Sequence, residues 1–219
     1  MRVLRCWWRK GTAAWCPSDS LGSTQATGAR AKRLEGKEAK LCLVHAAGRA
    51  APVYGGTLTG GVAGTGQEIF HCAVAAGFGQ ASRVHALGDG APWIAEQIEE
   101  RFGVQGRYLV DFYPVCEYLA SAAAAIGGSR QPEAWLSEQK ERLKTNQADA
   151  VLDELAVHRE PENVPDNEAP VRVCHRYLTN RRDQLDYQGA LAQGLPIGSG
   201  EIESAHRYIV QARLKHPGA

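Results

Sequence analysis

Hydrophobic residues along the chain occur in short runs separated by polar, glycine-rich stretches. The run over residues 40–45 (KLCLVH) is bounded by charges and predicts a buried strand, and residues 51–60 (APVYGGTLTG) suit a second, edge-like strand. Residues 67–76 (QEIFHCAVAA) place their large apolar side chains at helical spacing, so they predict a helix that the following glycines end.

A strand–helix–strand pattern follows. A short apolar run from Arg83 ends in Gly-Asp-Gly around Asp89 and leads into the helical stretch AEQIEERF, and residues 108–113 (YLVDFY) predict the next strand, with Asp111 near its end. The spacing favours a βαβ crossover and a parallel pair of strands. Because functional groups in such sheets gather at the carboxyl ends of strands, we expect Asp89 and Asp111 to lie there.

The second half of the chain has a helical pattern. Helices are predicted over residues 115–126, 133–157 and 171–192, and the proline-rich acidic linker 158–170 separates the last two. A Gly/Ser loop then opens an amphipathic helix that carries Glu203. We therefore divide the chain into a poorly ordered basic lead-in (1–37), the first part of an α/β core (38–114), a helical insertion (115–192) and a final core helix (193–219).

Composition narrows the class of protein. The 219 residues are 44% hydrophobic and 22% charged, which excludes a wholly disordered chain. No run approaches the roughly 18 apolar residues of a membrane span, and the start lacks the apolar core of a secretory signal. We expect an intracellular protein without a membrane span, whose six cysteines are buried thiols because they show no paired zinc spacing.

The net charge of +1 conceals an uneven distribution. Residues 1–40 carry +6, residues 41–170 carry −8 and residues 171–219 carry +3. Basic ends around an acidic middle are compatible with nucleic-acid contacts and cation-binding carboxylates, and equally with an ordinary enzyme that has a solvated acidic face.

Three acids are candidates for chemistry. Asp89, between two glycines at a strand end, suits a ligand of Mg²⁺, and its alternative is a plain Asp-Gly turn. Glu203 lies in the first turns of its helix and is either functional or an ordinary capping residue of the Ser199 loop. Asp111 is a metal ligand, a group that supports the ligands, or a cap of the following helix.

Basic residues offer contacts to phosphate. The segment YLTNRRDQLDY carries Arg181 and Arg182 beside two tyrosines, a composition that suits a nucleic-acid backbone, although an ordinary helix with an Arg182–Asp186 pair explains it as well. The final predicted helix carries a basic stripe, again either phosphate-binding or solvated. Its members are Arg207, Arg213 and Lys215.

Four segments in this order resemble bacterial insertion-sequence transposases of the DDE type, the Kra-type group related to Mutator-like enzymes. They are GDGAPWI (88–94), VDFY followed by CEYL (110–119), YLTNRRDQLDY (177–187) and GLPIGSGEIESAHRYIVQARLK (194–215). The weaker EAKLCLV (38–44) fits the early strand of that family.

The resemblance implies a ribonuclease-H-like mixed sheet, with an all-α insertion before the last catalytic acid, that binds two Mg²⁺ or Mn²⁺ ions and cleaves and joins DNA. By motif position, Asp89 looks like the second catalytic Asp and Glu203 like the catalytic Glu. His206 and Asp111 are candidates for support of the metal ligands. The implied partners are terminal inverted repeats and target DNA, bound by a homo-oligomer near the bacterial nucleoid in the cytoplasm.

The sequence also departs from the family. The first catalytic Asp of the family stands in an Asp-Gly-Thr string, and the nearest string here is Lys10-Gly11-Thr12. A His usually follows the position of Asp111 by three residues, where this chain has Pro114. We therefore expect a truncated copy of little or no activity. The alternatives are a non-catalytic DNA-binding or dimerising remnant and an unrelated metal-dependent hydrolase that uses Asp89 and Glu203.

Overall fold

The computed structural model describes residues 2–13, 37–47, 51–57, 60–126 and 131–200, the first twelve and residues 37–39 as backbone. The strands are β1 (Arg2–Ala13), β2 (Lys37–Ala46), β3 (Val53–Thr57), β4 (Ser82–Gly88) and β5 (Gly106–Val110). The helices are α1 (Gly61–Ala75), α2 (Pro92–Phe102), α3 (Phe112–Ile126), α4 (Pro132–Lys144), α5 (Ala148–Val157), α6 (Pro170–Thr179) and α7 (Tyr187–Ala192). The chain is a mixed α/β protein with more residues in helices than in strands.

The strands form one sheet in the order β3-β2-β1-β4-β5. The neighbours β3, β2 and β1 are antiparallel, whereas β4 runs parallel to β1 and β5 parallel to β4. The crossover from β4 through α2 to β5 confirms the predicted parallel pair. The register aligns Gly88 with Val110, so β4 and β5 end at the same level.

The first strand is the main difference from the sequence analysis, which expected residues 1–37 to be a poorly ordered lead-in. Arg2–Ala13 instead forms the central strand, paired with both β2 and β4. Its apolar residues do not alternate regularly with its charged ones, so the pattern alone gave no strand signal. Pairing with strands far away in sequence provides the stabilisation that local pattern does not. The rest of the predicted lead-in, residues 14–36, lies outside the described residues.

Helices cover both faces of the sheet. Strand residues at alternate positions contribute to two cores: Cys42 and Val44 pack toward α1 and α2, while Leu43 packs toward α3 and the helices after it. The same alternation holds in β4, where Ala86 faces the first core and Leu87 the second. At β2 and β4 the sheet is thus the middle layer, with a core on each face.

The helical half is more divided than predicted. The single helix expected over residues 133–157 is wrong: α4 and α5 are separated at Asn146, whose φ of 56° lies in the left-handed region that asparagine tolerates. The expected helix over residues 171–192 is likewise two helices, α6 and α7, joined by a short 3-10 turn at Arg182–Gln184.

Other boundaries shift by several residues. α1 begins at Gly61 rather than at residue 67, and α3 begins at Phe112, so residues 112–113 belong to a helix and not to a strand. Buried cysteines are confirmed at Cys42, Cys72 and Cys174, whereas Cys116 is partly exposed, contrary to the prediction. The side chains of Cys6 and Cys16 lie outside the described residues. No helix in the described part of the chain has the length and apolar character needed to span a bilayer.

Candidate functional site at the carboxyl ends of the parallel strands

The two acids that follow β4 and β5 lie where the sequence predicted them. Asp89 comes directly after Gly88, and its Oδ1 accepts a hydrogen bond from the backbone N–H of Ala91 at 3.0 Å. This short loop turns the chain from β4 into α2, with Gly90 at a φ of 86°. The other carboxylate oxygen, Oδ2, accepts no hydrogen bond from the described residues, so it is available to a cation.

The loop around Asp89 is held by side chains from two other elements. The Tyr177 hydroxyl on α6 donates to the Asp89 carbonyl oxygen at 2.9 Å, and Arg181 Nε donates to the Gly90 carbonyl oxygen at 2.7 Å. The N–H of Gly90 donates to the Tyr108 hydroxyl on β5 at 3.0 Å. A Cβ at Gly90 would lie 2.4 Å from Arg181 Nε, so this close approach and the positive φ both require glycine.

Stacked side chains fix the Tyr177 contact. The Arg181 guanidinium lies over the Tyr177 ring at 3.9 Å from its centroid, and Tyr118 of α3 stacks on the ring with centroids 4.0 Å apart. Burial raises the pKa values of Tyr108 and Tyr177, so both phenols are neutral over the whole physiological range. The helices from α3 to α7 and their connections, here called the helical layer, therefore position the backbone of the Asp89 loop.

Asp111 is buried at 4% exposure and both of its carboxylate oxygens have protein partners. Oδ1 accepts from the backbone N–H of Tyr113 at 2.9 Å, in the first turn of α3, and Oδ2 accepts from the Ser199 hydroxyl. The first of these is the hydrogen bond that the helix-capping interpretation predicts. The second ties the strand end to a segment far along the chain.

The Gly/Ser segment before residue 201 packs on this same end of the sheet. The N–H of Phe112 donates to the Ile197 carbonyl oxygen at 2.9 Å, and His85 Nε2 donates to the Pro196 carbonyl oxygen at 2.8 Å. Together with Ser199, these bonds bring the chain that leads to Glu203 next to Asp111. Glu203 and His206 themselves lie outside the described residues.

The predicted phosphate-binding arginines have protein partners. Arg181 donates to Gly90 and, through Nη1, to the Tyr177 carbonyl oxygen at 3.0 Å. Arg182 pairs with Asp149 of α5, and both side chains are well exposed. The alternative Arg182–Asp186 pair is wrong, because Asp186 accepts from Asn146 at 2.7 Å and from the N–H of Gly189 at 2.9 Å. The other three predicted contacts, Arg207, Arg213 and Lys215, fall in the undescribed residues 201–219.

The described residues form no complete metal site. No three of their His, Cys, Asp and Glu side chains lie close enough together to hold an ion. Asp89, with one oxygen available, fits a metal ligand, whereas Asp111, with both oxygens engaged, fits a structural role. A cavity of about 390 Å³, lined by Arg83, Gln105 and Arg107 among others, lies against the amino-terminal halves of β4 and β5 and is separate from the strand ends that carry the acids.

Strand register places Lys10 beside this site. The last β1–β4 pair is Trp7 with Leu87, so one step further Trp8 is level with Gly88, the end of β4. Lys10 lies two residues beyond, roughly 7 Å further along β1 at the usual rise per residue. It stands opposite Lys40 of β2. The sheet thus has a lysine on its central strand near Asp89.

Sequence reasoning missed the residues that assemble the site. The contacts of Tyr108 and Tyr177 with the Asp89 loop and of Ser199 with Asp111 join positions between 18 and 88 residues apart, and no local pattern marks them. The only sequence signal is that Tyr177 and Arg181 are four residues apart in one predicted helix, a spacing that places them on the same side, although α6 itself ends at Thr179. No protein-family model matches this chain, and comparisons with curated proteins and with solved structures give no match either.

Proposed function

We propose that this chain is a transposase-like protein of the DDE type with an impaired metal site, in which Asp89 and Glu203 are the remaining catalytic acids. The observation that supports the proposal most is the sheet. Its strands, in the order β3-β2-β1-β4-β5, are antiparallel on one side of β1 and parallel on the other, and a mixed sheet of this kind is what the resemblance implies. Asp89 directly follows β4, and the helical segment precedes the predicted position of the last acid.

The residues around Asp89 have distinct roles in this proposal. Asp89 holds the metal, and Tyr177 and Arg181 fix the backbone that presents its carboxylate. Asp111 and Ser199 keep the segment that leads to Glu203 at the same end of the sheet. Together with the first acid of an intact relative, Asp89 and Glu203 would hold two Mg²⁺ or Mn²⁺ ions, which would supply the charge stabilisation needed to cleave a DNA phosphodiester. The partners of the chain are terminal-repeat and target DNA, engaged by a homo-oligomer.

The impairment comes from Lys10. The register puts this lysine close to the end of β4, at the position that the resemblance assigns to the first catalytic Asp. The ammonium group of the lysine repels a divalent cation. The lysine also stands in place of a carboxylate that would bind Mg²⁺. We therefore expect weak metal binding and little or no cleavage by the natural chain.

Replacing the lysine tests this proposal directly. Lys10→Asp is expected to raise Mn²⁺ affinity by at least about tenfold, a change of roughly 1.4 kcal/mol, in titrations followed by electron paramagnetic resonance. Lys10→Asp combined with Asp89→Asn is the matched control and is expected to lose that gain. Equal Mn²⁺ affinity in all three proteins contradicts a shared site of residues 10 and 89.

Cleavage of DNA that carries the element's terminal repeats, with Mg²⁺ or Mn²⁺, tests activity. We expect no robust turnover by the natural chain. Robust cleavage by the natural chain that Glu203→Gln abolishes would overturn the prediction that the metal site is impaired. The second candidate function, a DNA-binding remnant, is favoured by the lysine at position 10. Salt-dependent DNA binding without metal-dependent cleavage, even in Lys10→Asp, selects it.

A further inference from the structure

We infer that the ends of β1 and β2 that extend past β4 form a basic two-stranded ribbon that binds the phosphate backbone of duplex nucleic acid. The basic ribbon consists of residues 9–13 of β1 and 37–41 of β2. This inference rests on the proposed function, because it names the surface through which such a protein engages its DNA. Of the ribbon residues, Lys10 alone also belongs to the candidate metal site.

The ribbon extends beyond the rest of the parallel sheet. β4 ends at Gly88 and β5 at Val110, which are paired with each other. β1 and β2 remain paired from Arg9 with Leu41 to Ala13 with Lys37. Five residues beyond the level of Gly88 correspond to roughly 17 Å at the usual rise of a strand. The sheet therefore ends in a step, with Asp89 and Asp111 on its floor and the ribbon as its wall.

The charges on the two levels of this step are opposite. The ribbon carries Arg9, Lys10, Lys37 and Lys40 against the single acid Glu38. Lys10 and Lys40 stand directly opposite each other in the register, so the two strands carry basic residues at the same level. The floor carries Asp89 and Asp111, the acids that directly follow β4 and β5. A phosphodiester placed over the carboxyl ends of β4 and β5 thus lies against a basic wall.

The shape of the ribbon favours duplex nucleic acid over other anionic partners. The major groove of B-DNA, about 12 Å wide, admits a two-stranded β-ribbon, and phosphates on either side of the groove match basic residues on two antiparallel strands. A flat anionic membrane would contact only the projecting ribbon and would not reach the recessed ends of β4 and β5. The ribbon also lies within the part of the sequence with the highest positive charge, since residues 1–40 carry +6.

Binding of the full chain to a short, fluorescein-labelled DNA duplex of mixed sequence tests the inference, with fluorescence anisotropy in EDTA as the readout. The double variant Arg9→Gln/Lys37→Gln leaves Lys10 and the candidate metal site unchanged. We expect it to bind at least about tenfold more weakly, with a slope of log affinity against log salt reduced by about 1.8 between roughly 50 and 200 mM KCl. Each single variant is expected to reduce the slope by about 0.9.

The matched control is Lys140→Gln/Arg159→Gln, which removes the same charge from the helical layer and is expected to retain natural affinity and slope. Circular dichroism and thermal melting establish that each variant is folded, and the single variants decide the outcome if the double variant is not folded.

The inference is overturned if the natural chain and the ribbon variants bind DNA equally well, or if the control loses as much affinity as the ribbon variants. Equally tight and equally ribbon-dependent binding to phosphatidylserine vesicles overturns it in favour of a membrane surface. The Mn²⁺ titration of Lys10→Asp involves no DNA, so its outcome for the proposed function is independent of the outcome of the DNA-binding test.

Discussion

Two tyrosines of the helical layer show how differently the same side chain can contribute. The Tyr177 hydroxyl donates to the Asp89 carbonyl oxygen at 2.9 Å, whereas the hydroxyl of Tyr187, a residue with 0% exposure, has no hydrogen-bond partner among the described residues. A buried polar atom without a partner costs its full desolvation free energy, while a satisfied one contributes a modest net stabilisation. The two positions therefore respond in opposite ways to loss of the hydroxyl.

We expect Tyr187→Phe to leave the free energy of unfolding unchanged or to raise it by up to about 1 kcal/mol, because it removes an unsatisfied group and keeps the ring against Phe112. Tyr177→Phe is the matched variant and is expected to lower the free energy by about 1 kcal/mol. Urea unfolding followed by circular dichroism measures both. If Tyr187→Phe lowers the free energy of unfolding as much as Tyr177→Phe does, the Tyr187 hydroxyl is not unsatisfied.

Single residues also show which parts of the site could be predicted. Asp89 and Asp111 were predictable because each follows an apolar run that ends at a turn signal, and a parallel pair brings strand ends together. The different roles of the two acids were not predictable, because the role of Asp111 depends on Ser199, which is 88 residues away in the sequence. Sequence spacing carries no information about which distant hydroxyl engages a carboxylate.

At the scale of elements, the start of α6 depends on an acid from the preceding linker. The carboxylate of Glu160 accepts from the backbone N–H groups of Val171 and Arg172, at 3.1 and 2.7 Å. The buried Arg172 in turn donates to the carbonyl oxygens of Pro161 and Val164. The linker that the sequence presents only as proline-rich and acidic is thus fastened to the first turn of α6, the helix that carries Tyr177.

This arrangement predicts a pH dependence of stability. Partial burial alone would raise the pKa of Glu160, but the two N–H groups and Arg172 outweigh it and lower the pKa below its usual value. The native state then binds fewer protons than the unfolded state. The stabilisation is therefore present above the unfolded pKa, about 4.3 for Glu, and is lost as pH falls through the lower folded value.

Glu160→Gln is accordingly expected to lower the free energy of unfolding by about 1 kcal/mol at neutral pH and to have a smaller effect near pH 3. Urea unfolding at both pH values measures the difference. Glu168→Gln removes the same charge from the same linker and is the control, expected to show the smaller change. A pH-independent effect of Glu160→Gln contradicts the carboxylate's role at the helix start.

The elements differ in how far their sequences determine them. The β4–α2–β5 unit was predictable because both strands and the helix have clear periods and turn signals, and consecutive elements pack together. β1 was not predictable, because its formation as a strand depends on pairing with β2 and β4 rather than on its own hydrophobic pattern. The break at Asn146 was hidden in a stretch of good helix formers, since its left-handed φ is accompanied by hydrogen bonds to Asp186 and Gln188 of a later segment.

At the scale of the whole molecule, the sheet joins two cores that share its strands. Leu43 and Leu87 face the core under α3 to α7, while their neighbours Val44 and Ala86 face the core under α1 and α2. Removing either helical layer would expose one face of β2 and one face of β4. The two cores are therefore not independent folding units in the way that two domains joined by a linker are.

A single cooperative unfolding transition follows from this shared sheet. We expect Ile69→Ala in α1 and Leu119→Ala in α3, two residues with 2% and 0% exposure, each to lower the free energy of unfolding by about 2–5 kcal/mol. Because both cores depend on the same strands, each variant should shift the transition of the whole molecule. Hydrogen–deuterium exchange across a urea series, read separately at α1 and α3, is then expected to give one midpoint for both helices in each variant. If Ile69→Ala lets α1 open at a lower urea concentration while α3 keeps its original midpoint, the two faces of the sheet fold separately, and the helical layer is stable without the core beneath α1 and α2.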